Sequence, residues 1–221
     1  MKNLIQLFLF LTGLLITSQP SFAHCDTKDG PVVAAAKKAI EQNNISYVLV
    51  WVQSAYEKEI KESFEITMKV RELSPEAKAL SDNYFFETLV RIHRNGEGVP
   101  YTGISPSGTP VNEKILAADK SIALGDLSPL NDLVPKDKLA ELKKRFDKVM
   151  SLKNYDVNNV PAGREYVEAY VNFFHFAEGE GEHQHDNHLT ESKHLGHIPW
   201  ILSGILLVTS VLFGILYYRN K

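Results

Sequence analysis

The stretch Ser74-Pro75-Glu76-Ala77-Lys78-Ala79-Leu80-Ser81-Asp82-Asn83-Tyr84-Phe85-Phe86-Glu87-Thr88-Leu89-Val90-Arg91-Ile92-His93-Arg94-Asn95-Gly96 decides how this chain folds. Ser74 is an N-cap residue type, Pro75 suits the first helical position, and Glu76 puts an acid where the helix dipole favours one. Phe86, Leu89, Val90 and His93 then recur at helical spacing until Gly96, a residue that ends helices readily. The spacing therefore predicts one long amphipathic helix.

Working outward, the same period recurs on both sides. Pro31 opens a helix through Val32, Val33, Ala36 and Ile40, closed near Asn43-Asn44. Asn44 suits the cap of a second run with Ile45, Val48, Leu49 and Val52 inward, which breaks near Ser54 and continues through Ile60, Phe64 and Met68 toward Leu73. Further helices are expected over 111–124, 136–152 and 161–177, the last with Val167, Tyr170, Val171 and Phe174 inward. Gly96 to Pro110, rich in Gly, Pro, Ser and Thr, reads as a loop of about 14 residues, a length at which loops are usually functional or disordered. No strand alternates convincingly, so the fold class is all-α: a helical bundle of roughly 150 residues, the size of one ordinary domain.

The two ends read differently. Lys2, an apolar run over 4–16 and the small residues Ser21 and Ala23 form a signal peptide over residues 1–23. Residues 198–218 carry no charge, have Trp200 and Tyr217-Tyr218 at their edges and are followed by Arg219 and Lys221, so they read as one transmembrane helix with a cytoplasmic tail at 219–221. Residues 178–197 hold His183, His185, His188, His194 and His197 in a Gly- and Glu-rich tether. The bundle, residues 24–177, is thus expected outside the cytoplasm on a single-pass membrane anchor. A net charge of −3 with interleaved Lys and Glu offers no surface for nucleic acid. Cys25 is the only cysteine, which excludes an intrachain disulfide.

Cleavage after Ala23 would expose His24-Cys25-Asp26-Thr27-Lys28-Asp29-Gly30. A terminal His-Cys pair brings an α-amine, an imidazole, an amide nitrogen and a thiolate within reach of one transition metal ion: copper, iron, nickel or zinc. His24, Cys25 and Gly30 resemble the N-terminal metal hook of nickel superoxide dismutase, which also sits on a four-helix bundle. That resemblance implies that His24 and Cys25 bind the metal and carry the redox chemistry. Lys28, Asp29 and Val32 stand where that hook has proline, a second cysteine and tyrosine. A carboxylate in place of a thiolate favours a harder or borderline ion, and makes Asp29 a candidate ligand. More widely, His24-Cys25-Asp26, Gly30-Pro31-Val32-Val33, Leu73-Ser74-Pro75-Glu76 and Tyr84-Phe85-Phe86-Glu87 resemble an uncharacterised family of secreted bacterial proteins.

His93 and His175, each near the end of an expected helix, complete the candidate metal ligands, with Glu87 and Glu97 as further acids. Arg91 and Arg94 are placed to steer a small anion such as superoxide. The expected function is extracytoplasmic metal binding with redox chemistry of the superoxide dismutase type. The alternatives are metal storage or delivery without catalysis, and a structural or partner-binding bundle whose hook stays empty.

Overall fold

The computed structural model describes residues 24–179, and the expected signal peptide, tether and transmembrane segment lie outside them. These residues form seven α-helices: α1 Pro31–Glu41, α2 Ser46–Leu49, α3 Glu57–Val70, α4 Pro75–Gly96, α5 Glu113–Leu124, α6 Leu139–Leu152 and α7 Val160–Glu178. Among the described residues there is no strand, only an isolated parallel bridge between Thr27 and Ser105, and no helix long and apolar enough to cross a membrane.

The helix signals act as their chemistry requires. The Ser74 hydroxyl accepts from the Ala77 amide at the start of α4, with Pro75 in the first turn. Asn112 and Asn159 cap α5 and α7 in the same way, and Gly125 and Gly179 end those helices in the left-handed conformation. Asn44 Oδ1 accepts from the Ser46 amide, although the cap position itself falls one residue later, on Ile45, which has no side-chain cap bond.

The run expected from Ile45 to Leu73 is more broken than its period suggests. Only α2, a short 3-10 turn over Ser54–Tyr56 and then α3 form. The reason is tertiary. The carbonyls of Leu49 and Val52 accept from Arg164 on α7 at 3.2 and 3.0 Å, and the Trp51 carbonyl bonds His93 on α4 at 2.9 Å. Carbonyls that satisfy other helices no longer need a continuous ladder of their own.

Two apolar clusters make the core. One joins α1, α2, α3 and α4 around Phe85, Ile60, Leu89 and Ile92. The other joins α5, α6 and α7 around Leu142, Phe146, Phe173 and Leu130. Each fully buried side chain of this size contributes on the order of 1.5–3 kcal/mol. Trp51 packs against both clusters, and Gly163 lets α7 approach the Val50 and Tyr155 side chains so closely that a Cβ there would collide with them. The residues discussed next lie where these two clusters meet.

Candidate functional site

The described chain begins with a 3-10 turn, His24–Asp26, folded back on the start of α1. The Gly30 amide donates to the Thr27 carbonyl at 3.0 Å and the Thr27 hydroxyl to the His24 carbonyl at 3.3 Å. A Cβ on Gly30 would run into the His24 carbonyl oxygen, so glycine is needed there for close approach. The loop after α4 holds the turn from outside. Ser105 donates its amide to the Asp26 carbonyl at 2.8 Å, and its carbonyl accepts from the Lys28 amide at 3.0 Å. Asp29 accepts from the Ser107 hydroxyl and the Gly108 amide at 2.6 and 2.8 Å, bonds that hold its carboxyl below the usual range. The loop whose length reads as functional or disordered thus serves as a clasp on the 24–30 turn.

Inside the turn, side chains from four segments converge. The His24 Nε2 lies 2.9 Å from Asp119 Oδ2 on α5, and Asp119 Oδ1 accepts from the Tyr170 hydroxyl of α7 at 2.9 Å. The His24 ring also stacks on Phe174, 6.1 Å between centroids. Because a carboxylate only accepts, Nε2 must carry the hydrogen. The other nitrogen, Nδ1, is buried without a hydrogen-bond partner among the described residues, as is Asp26 Oδ1. Asp26 is 6% exposed.

On α4, Arg94 reaches Asp26 Oδ2 through Nε and Glu97 Oε2 through Nη1, both at 3.0 Å. His93 is 5% exposed, with Nδ1 against the Trp51 carbonyl and Nε2 3.3 Å from Glu97 Oε1. A carbonyl oxygen also only accepts, so Nδ1 is the donor. In a neutral ring Nε2 would then set a lone pair against a carboxylate oxygen, an arrangement that needs a proton or another cation between them.

The Cys25 thiol sits half-buried in this setting. Its pKa is pushed well above the ordinary value, first by burial, then by the Glu97 and Asp26 carboxylates, against the pull of Arg94. Asp26 is raised to about 6, again by burial, with Arg94 opposing. An activated nucleophilic cysteine has the opposite surroundings, electropositive and partly open. Unassisted thiol chemistry is therefore disfavoured, and a cation among these acids would reverse the bias.

Of the residues singled out from sequence, His24, Cys25 and His93 belong to this cluster, with Glu97 beside them. Asp29 faces outward and is used by the clasp. His175 follows Phe174, and successive helical residues point about 100° apart. Its Nδ1 accordingly lies 3.9 Å from Glu178 of the same helix, with the side chain 39% exposed. Glu87 is exposed. Arg94, expected at the surface as an anion-steering group, is buried in ion pairs, whereas Arg91 is exposed and pairs with Glu59 at 2.6 Å. Asp119 and Tyr170 were not read from sequence as site residues. Asp119 is an acid within an ordinary mixed helix, and only the packing of α5 on α7 turns it toward His24.

Among the described residues, no three His, Cys, Asp or Glu side chains are gathered so as to hold a metal ion by themselves. Main-chain nitrogens of His24 and Cys25 would have to complete any such site. The chain belongs to a family of unknown function, DUF6448, which it matches over residues 29–176, a span that starts just beyond His24 and Cys25. No curated protein and no solved structure matches it.

Proposed function

We propose that this DUF6448 member is a membrane-anchored, extracytoplasmic metal-binding protein that holds a transition metal ion at its processed N-terminus for one-electron redox chemistry. One observation carries the reading: Asp119 occupies Nε2 of His24 and leaves Nδ1 buried and unpartnered. Nδ1 is the ring nitrogen that closes a six-membered chelate with the residue's own α-amine, which signal cleavage after Ala23 would free. Metal-binding histidines commonly have the second nitrogen held by a carboxylate in this manner, which sets the tautomer and the ring orientation.

The donor set fits a borderline ion. His24 would supply the amine and Nδ1, and Cys25 its amide nitrogen and thiolate. His93 has its outer nitrogen held by the Trp51 carbonyl and its inner one turned to Glu97, which adds an imidazole and a carboxylate to the surroundings. An ion held there would supply one-electron redox capacity. The protein's own part is to orient the His24 ring through Asp119 and Tyr170, to keep the hook seated through Gly30 and the 105–108 clasp, and to limit water. Because the thiol must give up its proton to bind a metal, affinity is expected to fall as pH drops.

Burial favours a resident ion over storage or delivery. Handing a metal to a partner by ligand exchange needs exposed donors, and the His24 side chain is 14% exposed. The structural reading also has an observation in its favour, since Arg94–Asp26, His24–Asp119 and His93–Glu97 can neutralise one another when both rings are protonated.

Elemental analysis of the full chain decides between them, with the N-terminus confirmed by mass spectrometry, beside His24→Ala/Cys25→Ser and Asp119→Asn. About one metal ion per chain, lost in the first variant and bound roughly 10- to 100-fold more weakly in the second, is the expected result. A correctly processed chain that carries no metal, or the same metal in the double variant, would leave the structural reading standing.

A further inference from the structure

The aromatic residues beside the hook form a line of neighbouring rings that runs from the core outward. Tyr170, whose hydroxyl donates to Asp119, lies 6.1 Å from Tyr166 between ring centroids, and Tyr166 lies 5.5 Å from Tyr155. Exposure rises along the same line, from a buried Tyr170 to half-buried Tyr166 and Tyr155. On the other side the Trp51 ring is 5.9 Å from Tyr170. Tyrosine and tryptophan are the side chains most easily oxidised by one electron after cysteine. A buried tyrosine can lose its electron only if its proton has somewhere to go, and here Asp119 Oδ1 accepts that hydrogen bond at 2.9 Å.

We propose that Tyr170, Tyr166 and Tyr155 form a one-electron relay that carries oxidising equivalents from the His24–Cys25 site to the surface, with Asp119 as the proton acceptor for Tyr170. The use of the relay rests on the redox reading above; its existence does not. An oxidant of the superoxide class at the site takes one electron from Tyr170 and two protons from solvent to become hydrogen peroxide. The Tyr170 phenolic proton moves to Asp119, leaving a neutral tyrosyl radical beside a neutral carboxylic acid. Tyr166 then gives an electron to Tyr170, which recovers its proton from Asp119, while Tyr166 releases its own proton to water. Tyr155 then gives an electron to Tyr166, which regains a proton from water as Tyr155 releases its own, and a small thiol at the surface returns one hydrogen atom to Tyr155 and leaves as a thiyl radical. Equivalents that would otherwise drive Cys25 up the oxidation ladder leave by this route.

Flash photolysis of the full chain, stripped with a chelator and carrying Trp200→Phe, tests the relay without any metal. Trp51 is then the only tryptophan. A flash ejects one electron from Trp51 into buffer that holds nitrous oxide to take it up and tert-butanol to remove the hydroxyl radical so formed, and transient absorption follows the tryptophanyl radical. The expected result is its conversion to a tyrosyl radical, slowed at least tenfold by Tyr170→Phe and also slowed by Asp119→Asn, which keeps the tyrosine ring. Tyr166→Phe should preserve the first conversion and leave a tyrosyl radical that an added small thiol quenches more slowly. Equal conversion rates in the parent, Tyr170→Phe and Asp119→Asn chains overturn the relay. A relay that works in a chain found to bind no metal would instead remove only the metal reading.

Discussion

Replacing Asp26 with Asn should change how stability depends on pH, in a direction the structure specifies. Asp26 is almost fully buried and titrates near 6 in the folded chain, against 3.8 for the free side chain. Between those two values the folded protein holds more protons on this group than the unfolded chain does, so stability falls as pH rises through the window and is level above it. Two pH units at about 1.4 kcal/mol each give a loss of about 3 kcal/mol for the parent between pH 4 and pH 7. Asn mimics the protonated acid and removes the loss. The metal-free Asp26→Asn chain should therefore match its parent near pH 4 and exceed it by about 3 kcal/mol at pH 7. Urea titrations at half-unit intervals, with chelator present, measure the difference directly, and taking parent minus variant cancels carboxylates such as Asp29, Glu57 and Asp82, whose depressed values tilt both chains alike. A difference independent of pH, or a parent that gains on the variant as pH rises, would refute the reasoning. Under the proposed function the parent's deficit at pH 7 should also shrink when the metal is restored, because a cation beside the carboxylate replaces the missing proton.

Two other substitutions separate seating of the hook from support of the bundle. Gly30→Ala sets a Cβ against the His24 carbonyl and 3.1 Å from Thr27 Oγ1, and the backbone oxygen cannot turn aside. Displacement of the hook should cost roughly 1–3 kcal/mol and abolish metal retention, measured by denaturant titration and metal content on the same sample; undiminished metal affinity would show that the seated hook is not what binds. Ser74→Ala removes the N-cap of α4 and should cost about 1 kcal/mol, with an unchanged denaturant slope and unchanged metal content, since the cap lies at the opposite end of α4 from His93 and Glu97.

The sequence by itself determined most of the helices, because their signals are local. Ser74, Asn112 and Asn159 each cap a helix through bonds to amides two or three residues away, and Pro31, Pro75 and Pro161 mark first turns without reference to the rest of the fold. It also singled out His24, Cys25, His93, His175 and Asp29 as candidate ligands, since that expectation needs only donor type and position, and the fold gathers the first three of them. Tertiary structure decided what those donors meet. Asp119 is brought to His24 by the packing of α5 on α7, His93 to the Trp51 carbonyl by the break after α2, and Asp29 to Ser107 across 78 residues of chain. The same packing turned Arg94 inward and His175 toward Glu178. Helix caps are satisfied within one turn and so are written in a few consecutive residues, whereas a buried ionisable group finds its partner wherever two distant helices happen to close around it.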